Sequence, residues 1–500
     1  MNLMMLLEMA SGAMGDRVAV QCDDDRFSHA ELYAGAGRIA AFARGTAAEH
    51  LAVLDTSSPA VPLALFGSGW AGKPFVPLNY RLTGDELDAL IERITPAILV
   101  ADAERARQLS GRDGLEVVTR EDFLAIARGD ETPPDPDWQM EPEEIAILLF
   151  TSGTTGAPKA AVLRHRHMVS YILGSVEFMA AAEDDAALVS VPPYHVAGMA
   201  AVLSSIYAGR RIVQLPNFSA DRWLDVARSA GVTNAFVVPT MLQRIVAELE
   251  QKGGEPPSTL RALAYGGGKM PLPVIDRAMN LFPPTVDFTN AYGLTETSST
   301  IAVLGPDDHR VAAFNDDPAV KRRLGSAGKP LPGVEVEIRD EDGKPVPAGE
   351  PGEIWVRGEQ VSGEYLGRGS LLVEGGWFPT HDGGFLDEEG YLYVQGRIDD
   401  VIVRGGENLS PGEIEDVLHD HPAVADCAVV GVPDEEWGEA VVAAVVPTGD
   451  ASVEDLQAWV KQHLRSSRVP ERIEFWDELP YNETGKLLRR KVREALGGAA

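Results

Sequence analysis

Thr151-Ser152-Gly153-Thr154-Thr155-Gly156-Ala157-Pro158-Lys159 follows directly on the apolar run Ile145-Ala146-Ile147-Leu148-Leu149-Phe150. A short apolar run bounded by turn residues reads as a buried strand, here ending in a loop of flexible backbone. Glycines let backbone N–H groups approach an anion closely, hydroxyls add donors, and a lysine adds a point charge. That is equipment for holding a polyphosphate. The loop is not a Walker P-loop, whose lysine is followed by a Ser or Thr that ligates magnesium. Here Ala160 follows Lys159 and Pro158 precedes it, so a P-loop ATPase or kinase is disfavoured.

Strand–helix alternation surrounds the loop. Apolar runs at Leu51–Leu54, Ala97–Val100, Ala187–Val191, Arg211–Leu215, Ala235–Val238 and Ala262–Tyr265 alternate with helical patterns at Ser219–Ala230, Thr240–Gln251 and Pro271–Leu281. This spacing predicts an α/β fold of mostly parallel sheets with helices on their faces. After residue 325 the texture changes. Val334–Arg339, Glu353–Arg357 and Tyr391–Val394, with the turn Asp340-Glu341-Asp342-Gly343, predict a small antiparallel β subdomain. A boundary is expected at Gly396-Arg397, giving an N-terminal domain of residues 1–396 and a compact α+β domain of residues 397–500. The second domain should hold helices at Gly412–His419 and Val453–Leu464 and strands at Asp426–Val430 and Ala440–Pro447. The Pro-rich Thr132–Pro142 stretch reads as a connector.

A chain of 500 residues exceeds what one hydrophobic core serves, so at least two domains are required. The net charge of −32 opposes binding to nucleic acid or to anionic membranes, and leaves anionic ligands to local fields. Two cysteines, Cys22 and Cys427, make no disulfide framework and suit a reducing cytoplasm. The start, MNLMMLLEMASG, has no basic segment and is interrupted by Glu8, so an amphipathic helix is expected rather than a signal peptide. No apolar run is long enough to span a bilayer, and a soluble cytoplasmic protein is expected.

Further strings carry chemistry. Pro193-Tyr194-His195 places an aromatic residue and a histidine after a strand, although a lone histidine there is more often structural. Tyr265-Gly266-Gly267-Gly268 follows another strand, where small residues let a flat base or an alkyl chain pass close to backbone. Asn290-Ala291-Tyr292-Gly293-Leu294-Thr295-Glu296, Thr380-His381-Asp382, Gly396-Arg397-Ile398-Asp399-Asp400, Gly405-Gly406-Glu407-Asn408 and Pro480-Tyr481-Asn482-Glu483-Thr484-Gly485-Lys486 follow in that order. Together with the opening loop, these segments resemble the acyl-adenylate-forming superfamily, which contains acyl- and aryl-CoA synthetases, peptide-synthetase adenylation domains and luciferases. The resemblance runs from Pro77-Leu78-Asn79-Tyr80-Arg81-Leu82 to Lys486, nearly the whole chain.

The resemblance implies a division of labour. Thr151, Ser152, Gly153, Thr154, Thr155, Gly156 and Lys159 would cradle the phosphates of ATP. Gly267, Gly268, Asn290, Ala291, Tyr292 and Gly293 would border the nucleotide, with Tyr292 stacked on adenine. Thr295 would contact the α-phosphate and Glu296 would ligate Mg2+. Attack of a carboxylate on the α-phosphate joins two anions, so a divalent cation and donors must neutralise the developing charge. Asp382 would hold both ribose hydroxyls, a task for a bidentate acceptor, with Arg397 behind it. His381 stands in place of the usual glycine and Pro379 in place of a basic residue; at a positive φ the histidine costs ~1 kcal/mol. Ala160 also replaces a usual glycine, at little cost if its φ is negative. Asp399 would be the hinge, Gly405, Gly406 and Trp437 would shape the CoA tunnel, and Lys486 would bridge the substrate carboxylate and the α-phosphate. In such a scheme the small domain presents two faces to the site in turn.

Within the superfamily, Pro193-Tyr194-His195 resembles the aromatic/His gate beside the acyl pocket, with His195 expected among the catalytic residues beside Thr295, Glu296 and Lys486. Val196-Ala197 after it lack the aspartate that would pair an α-ammonium group, which disfavours α-amino acids. No carrier-protein module is expected in the 14 residues after Lys486. Trp437-Gly438-Glu439, after Val432-Pro433-Asp434, resembles a segment of CoA-forming members. The acyl pocket implied by the resemblance is apolar and small-residue-rich: Val196, Ala197, Gly198, Met199, Val238, Met241, Gly266 and Gly268. The expected function is an AMP-forming carboxylate–CoA ligase for a hydrophobic acid, in first place a medium or long fatty acid. ATP, Mg2+ and coenzyme A would be its small-molecule partners, and a homodimer is compatible with the sequence. Arg244 sits where malonate-type enzymes place an arginine for a second carboxylate, so a dicarboxylate or an aryl acid is the alternative. A non-catalytic homologue that binds acyl-adenylates or nucleotides is the alternative of another class, supported only by Ala160 and His381.

Overall fold

The computed structural model describes residues 1–151, 158–482 and 486–498. Among them, the apolar runs form two large parallel-rich sheets. The eight-stranded sheet centres on His50–Leu54, which pairs in parallel with Phe75–Pro77 and Ala97–Ala101. All five residues of Ala97–Ala101 are buried, as expected for a parallel strand covered on both faces. Beyond Phe75–Pro77 lies the antiparallel hairpin Ile145–Thr151 and Lys159–Arg164. Its second strand is not among the strands expected from the sequence, because the proline and lysine at its start look like loop residues.

The nine-stranded sheet holds Ala186–Val189, Asn234–Val237, Ala262–Gly266 and Asp287–Leu294 side by side and parallel. The expected strand to Val191 stops at Val189. Pro192 and Pro193 follow closely, and proline has no N–H for a ladder. The C-terminal ends of these four strands open on one edge, where α/β sheets place their ligands.

Helices cover both sheets. Ala60–Ala71 is buried from Ala60 to Trp70, which accounts for a sequence without a polar face. Met4–Met14 packs on His29–Arg44 and Val196–Ala208, burying Met4, Leu6, Leu7 and Ala10 and leaving Glu8 exposed. His29–Arg44 begins with a capping box in which Glu31 N donates to Ser28 Oγ at 3.1 Å and Ser28 N to Glu31 Oε2 at 2.7 Å. The connector Thr132–Pro142 has neither helix nor strand but is pinned: Asp137 Oδ1 accepts from Arg44 Nη1 at 2.9 Å and Trp70 Nε1 at 3.1 Å.

The antiparallel subdomain is a four-stranded sheet of Glu335–Arg339, Gly352–Arg357, Phe378–Leu386 and Leu392–Arg397. Its register sets Asp382 directly opposite Arg397. Past Asp400 the chain forms a small C-terminal α+β domain with its own five-stranded sheet and its own core, including Ile402, Leu409, Ile414, Leu418, Val429 and Val441. The hairpin Val424–Asp434 and Gly438–Pro447 is longer than its apolar runs suggest, since pairing continues through the polar turn to Asp434↔Gly438.

Candidate active site

The four parallel strand ends bring distant segments to one cleft. Tyr265 is level with Asn290, and Gly266 with Ala291. Gly266 and Gly293 are set by backbone approach: a Cβ on Gly266 would lie 2.2 Å from Ala291 O, and one on Gly293 1.8 Å from Ser299 O. No larger residue fits either position without separating strands. Gly198 is similarly confined, since a Cβ there would lie 2.8 Å from Pro192 O, so its small size serves the turn as well as any acyl chain. Gly267 and Gly268 are exposed just past the end of the strand Ala262–Gly266. Asn290 Nδ2 donates to Ser326 O at 2.9 Å, fastening the strand from which Tyr292 projects.

Tyr292, Asp382 and Arg397 form one connected group. The Tyr292 hydroxyl donates to Asp382 Oδ2 at 2.6 Å, and Arg397 Nε lies 3.0 Å from Asp382 Oδ1. Arg397 Nη1 also donates to Thr380 O at 2.9 Å. Burial pushes the Asp382 carboxyl above its ordinary range, against the opposing pull of Arg397, Tyr292 and Lys486. His381, between Thr380 and Asp382, has φ +58. The departure from glycine therefore falls on a left-handed position, and Glu353 offsets it: His381 N donates to Glu353 Oε1 at 3.1 Å. Ala160 has no such strain. It is a buried strand residue opposite Phe150, outside the positive-φ set.

Glu296 sits in a single 3-10 turn, Thr295–Thr297, that ends in two non-glycine residues with positive φ, Ser298 and Ser299. Such strain persists only where surroundings impose it. Here Ser362 N and Gly363 N donate to Glu296 O at 2.8 and 3.0 Å, and Gln360 Nε2 donates to Thr297 O at 3.0 Å and Thr300 O at 2.7 Å. Thr295 closes the same turn by accepting from Ser298 N at 3.1 Å. The phosphate-loop ends meet across the hairpin, Thr151 opposite Lys159. Ser152, Gly153, Thr154, Thr155 and Gly156 lie outside the described residues.

Lys486 reaches this group from the C-terminal domain. Its side chain is exposed. Burial and then Arg397 push its ammonium pKa below the ordinary lysine value, while Asp382, Asp400 and Glu296 pull the other way. Carboxylates of the large domain and of the joining turn thus act on one ammonium. Asp399 is exposed in the turn Ile398–Asp400 that joins the domains.

Gly405 and Gly406, with φ of +57 and +82, make the two-residue turn of the hairpin Ile402–Arg404 and Glu407–Leu409. Trp437, 45% exposed, packs on that turn, and Gly405 N donates to Trp437 O at 2.7 Å. Arg404, Gly405 and Asp434, which hold Trp437 in place, all belong to the C-terminal domain.

On the acyl side, Tyr194 lies edge-on to Tyr80 at 5.5 Å and tilted against His195 at 4.6 Å. His195 Nε2 is buried with no hydrogen-bond partner among the described residues, and burial, then Arg81, lowers its pKa to about 3. It is neutral at physiological pH. Val238, Met241 and Met199 are buried at the starts of their helices, Val196 is half-buried, and Arg244 is exposed. Three residues of the site carry no signal in the sequence: Tyr365, whose hydroxyl donates to Glu296 Oε1, Lys269, and Arg489. Each acts on a partner far along the chain, so no local pattern marks it.

Residues 7–366 match the AMP-binding enzyme family, and residues 413–486 match the AMP-binding enzyme C-terminal domain. This chain belongs to the AMP-binding enzyme family. The chain is 33% identical to a feruloyl-CoA synthase of Amycolatopsis sp, over 96% of both chains. It is 32% identical to a 2-succinylbenzoate–CoA ligase of Bacillus cereus, again over 96% of both. Its fold matches o-succinylbenzoate CoA synthetase of Bacillus subtilis in complex with its acyl-adenylate, with a TM-score of 0.84, 29% identity and 99% of both chains covered. The curated relatives are named as ligases that join an acid to CoA, and the solved structures of the Bacillus subtilis enzyme hold AMP, or ATP with a magnesium ion. The reading as a non-catalytic binder falls, and both of its supports have structural accounts in the strand position of Ala160 and the Glu353 tether of His381.

Proposed function

We propose that this AMP-binding enzyme joins an apolar monocarboxylic acid to CoA through an acyl-adenylate. The observation that carries this reading is the connected group of Tyr292, Asp382 and Arg397, whose charges act on Lys486 of the second domain together with that of Glu296. A fatty acid is the first expectation, supported by the buried Met199, Val238 and Met241 beside the Tyr194–His195 gate. An aryl acid is the second. It is supported by the aromatic wall of Tyr80 and Tyr194 and by likeness to an enzyme named for a feruloyl substrate. A dicarboxylate loses the support of Arg244, whose exposed charge is solvated rather than presented to a buried acid, and keeps only the likeness to 2-succinylbenzoate ligases, whose named substrate carries two carboxylates.

In the first half-reaction a carboxylate oxygen attacks the α-phosphorus of ATP and pyrophosphate leaves. Asp382 and Arg397 hold the ribose, the Thr295 turn faces the α-phosphate, and the Lys486 ammonium bridges the two anions so that they approach. Among the described residues no cluster of three or more His, Cys, Asp or Glu forms a metal cage. The single Glu296 carboxylate suits Mg2+, which is commonly held by one or two carboxylates together with substrate phosphates. Held there, the cation supplies charge neutralisation at the phosphates. The neutral His195 lines the carboxylate end without adding charge. In the second half-reaction the C-terminal domain turns about Asp399, withdrawing Lys486 and bringing the Gly405–Trp437 face to the cleft. The CoA thiol then forms the thioester bond as the acyl–phosphate C–O bond breaks and AMP leaves.

The test is ATP–pyrophosphate exchange with alkyl, aryl and dicarboxylic acids, followed by CoA thioester formation. Exchange with apolar monocarboxylates is expected. Exchange confined to dicarboxylates, or to amino acids, overturns the substrate reading.

A further inference from the structure

Residues 362–366 staple two phosphate-handling elements that are far apart in sequence. On one side, Tyr365 pairs with Ala161 in the strand that follows the phosphate loop, Leu366 N donates to Ala160 O at 2.9 Å, and Arg164 Nη2 lies 2.7 Å from Glu364 Oε1. Ser362 Oγ also donates to Val162 O. On the other side, Ser362 N and Gly363 N hold the Glu296 carbonyl. The Tyr365 side chain then spans the gap. Its hydroxyl donates to Glu296 Oε1, the Thr151 hydroxyl lies beside the same phenol, and Lys159 Nζ stands 5.6 Å from the centre of its ring.

A carboxylate that ligates a cation must present one oxygen in a fixed direction. Glu296 rides on a strained turn, and a free glutamate side chain would sample several rotamers. The Tyr365 hydroxyl engages Oε1, which leaves the second oxygen of the carboxylate for the metal. The same ring sets the distance between Glu296 and the loop lysine that would hold the outer phosphates. Taking Glu296 as the metal ligand, as in the function proposed above, we propose that Tyr365 is a positioning residue that aligns Glu296 and Lys159 for the metal-bound triphosphate of ATP. Once pyrophosphate has left, neither the metal nor the outer phosphates occupy these partners, so Tyr365 should be indifferent to AMP and to acyl-adenylate.

That asymmetry gives the test, read by calorimetry with no acid present. Tyr365→Phe keeps the ring and removes the hydroxyl. Its affinity for α,β-methylene-ATP with Mg2+ should fall about tenfold, the scale of a hydrogen bond to a charged group, while AMP affinity changes by less than about twofold. The Mg2+ concentration for half-maximal analogue binding should rise. Glu296→Gln alone should show the same loss, and adding Tyr365→Phe to it should cost nothing more. Unchanged analogue binding in Tyr365→Phe overturns the proposal. So does an equal loss for AMP, which would mark a general packing defect, or a full further loss in the double variant. Because these measurements use no carboxylic acid, they stand or fall separately from the exchange assay that tests substrate class.

Discussion

Lys269 Nζ lies 2.7 Å from Asp416 Oδ1, joining the residue after the glycine segment to the first helix of the C-terminal domain. The same ammonium donates to Gly412 O at 3.2 Å, and Ser410 Oγ donates to Gln395 O at 3.0 Å. These contacts cross from one domain to the other in the arrangement in which Lys486 feels the charges of Asp382 and Glu296. Both charged side chains are about half exposed, so the pair is worth ~1 kcal/mol at most and is screened by salt. Lys269→Ala should therefore lower pyrophosphate exchange by roughly fivefold or less and leave thioester formation from supplied acyl-adenylate unchanged. Raising ionic strength in the wild type should move exchange the same way. A matched fall in both half-reactions would show that the pair does not bias domain orientation.

Lys486→Ala removes an ammonium that reaches Asp382 and Glu296 from the second domain. Exchange should fall by about 10²–10³, the scale for losing a charged stabiliser of the transition state. Thioester formation from supplied acyl-adenylate should survive. Equal loss in both assays would sink the domain-alternation scheme.

His29 is fully buried with both ring nitrogens unpartnered among the described residues, and burial, then Arg17, lowers its pKa to about 4. The folded state therefore holds this imidazole neutral, while the unfolded chain takes up a proton below about 6.5. Between pH 6.5 and 4 the unfolded state binds more protons, so stability rises with pH and is lost on acidification. His165 and His167, lowered to about 4 and about 3 by burial first, act in the same direction. His29→Leu should leave Tm at pH 7 equal or higher, since no hydrogen bond is lost. Its Tm should also fall less between about pH 6.5 and 4.5 than that of the wild type. An unchanged pH profile would mean that His29 is already protonated in the fold.

His381 carries the φ of a glycine. His381→Gly should relieve ~1 kcal/mol of strain, less whatever the 3.4 Å approach of His381 Nδ1 to Glu353 Oε1 contributes at an exposed site. A rise in Tm with AMP affinity preserved is expected. A fall in Tm would mean that the Glu353 contact outweighs the strain.

The strand–helix alternation, the antiparallel insert and the separate last domain were legible because they rest on local periodicity and on prolines and glycines at element ends. The candidate site was legible where a chemical role needs a contiguous string, as in Tyr292 to Glu296. Tyr365, Lys269 and Arg489 were not. Arg489 donates to Glu415 Oε2 at 3.0 Å and lies 3.5 Å from Asp400, so it anchors the chain just after Lys486 to the hinge turn, yet its partners are 74 and 89 residues away. Glu415 is deeply buried; its burial alone would raise the carboxyl pKa, and Arg489 outweighs that to hold it below the usual range.

The sequence by itself determined which elements form and which residue types stand ready for phosphate, ribose and carboxylate, because propensity and short motifs act over a few neighbours. Only the tertiary structure decided that Asp382 faces Arg397 across a strand register, that Tyr365 bridges Glu296 to the strand starting at Lys159, and that Lys486 of another domain feels the charges of Asp382 and Glu296. Those facts depend on how sheets stack and strands align, and that energy is summed over contacts hundreds of residues apart.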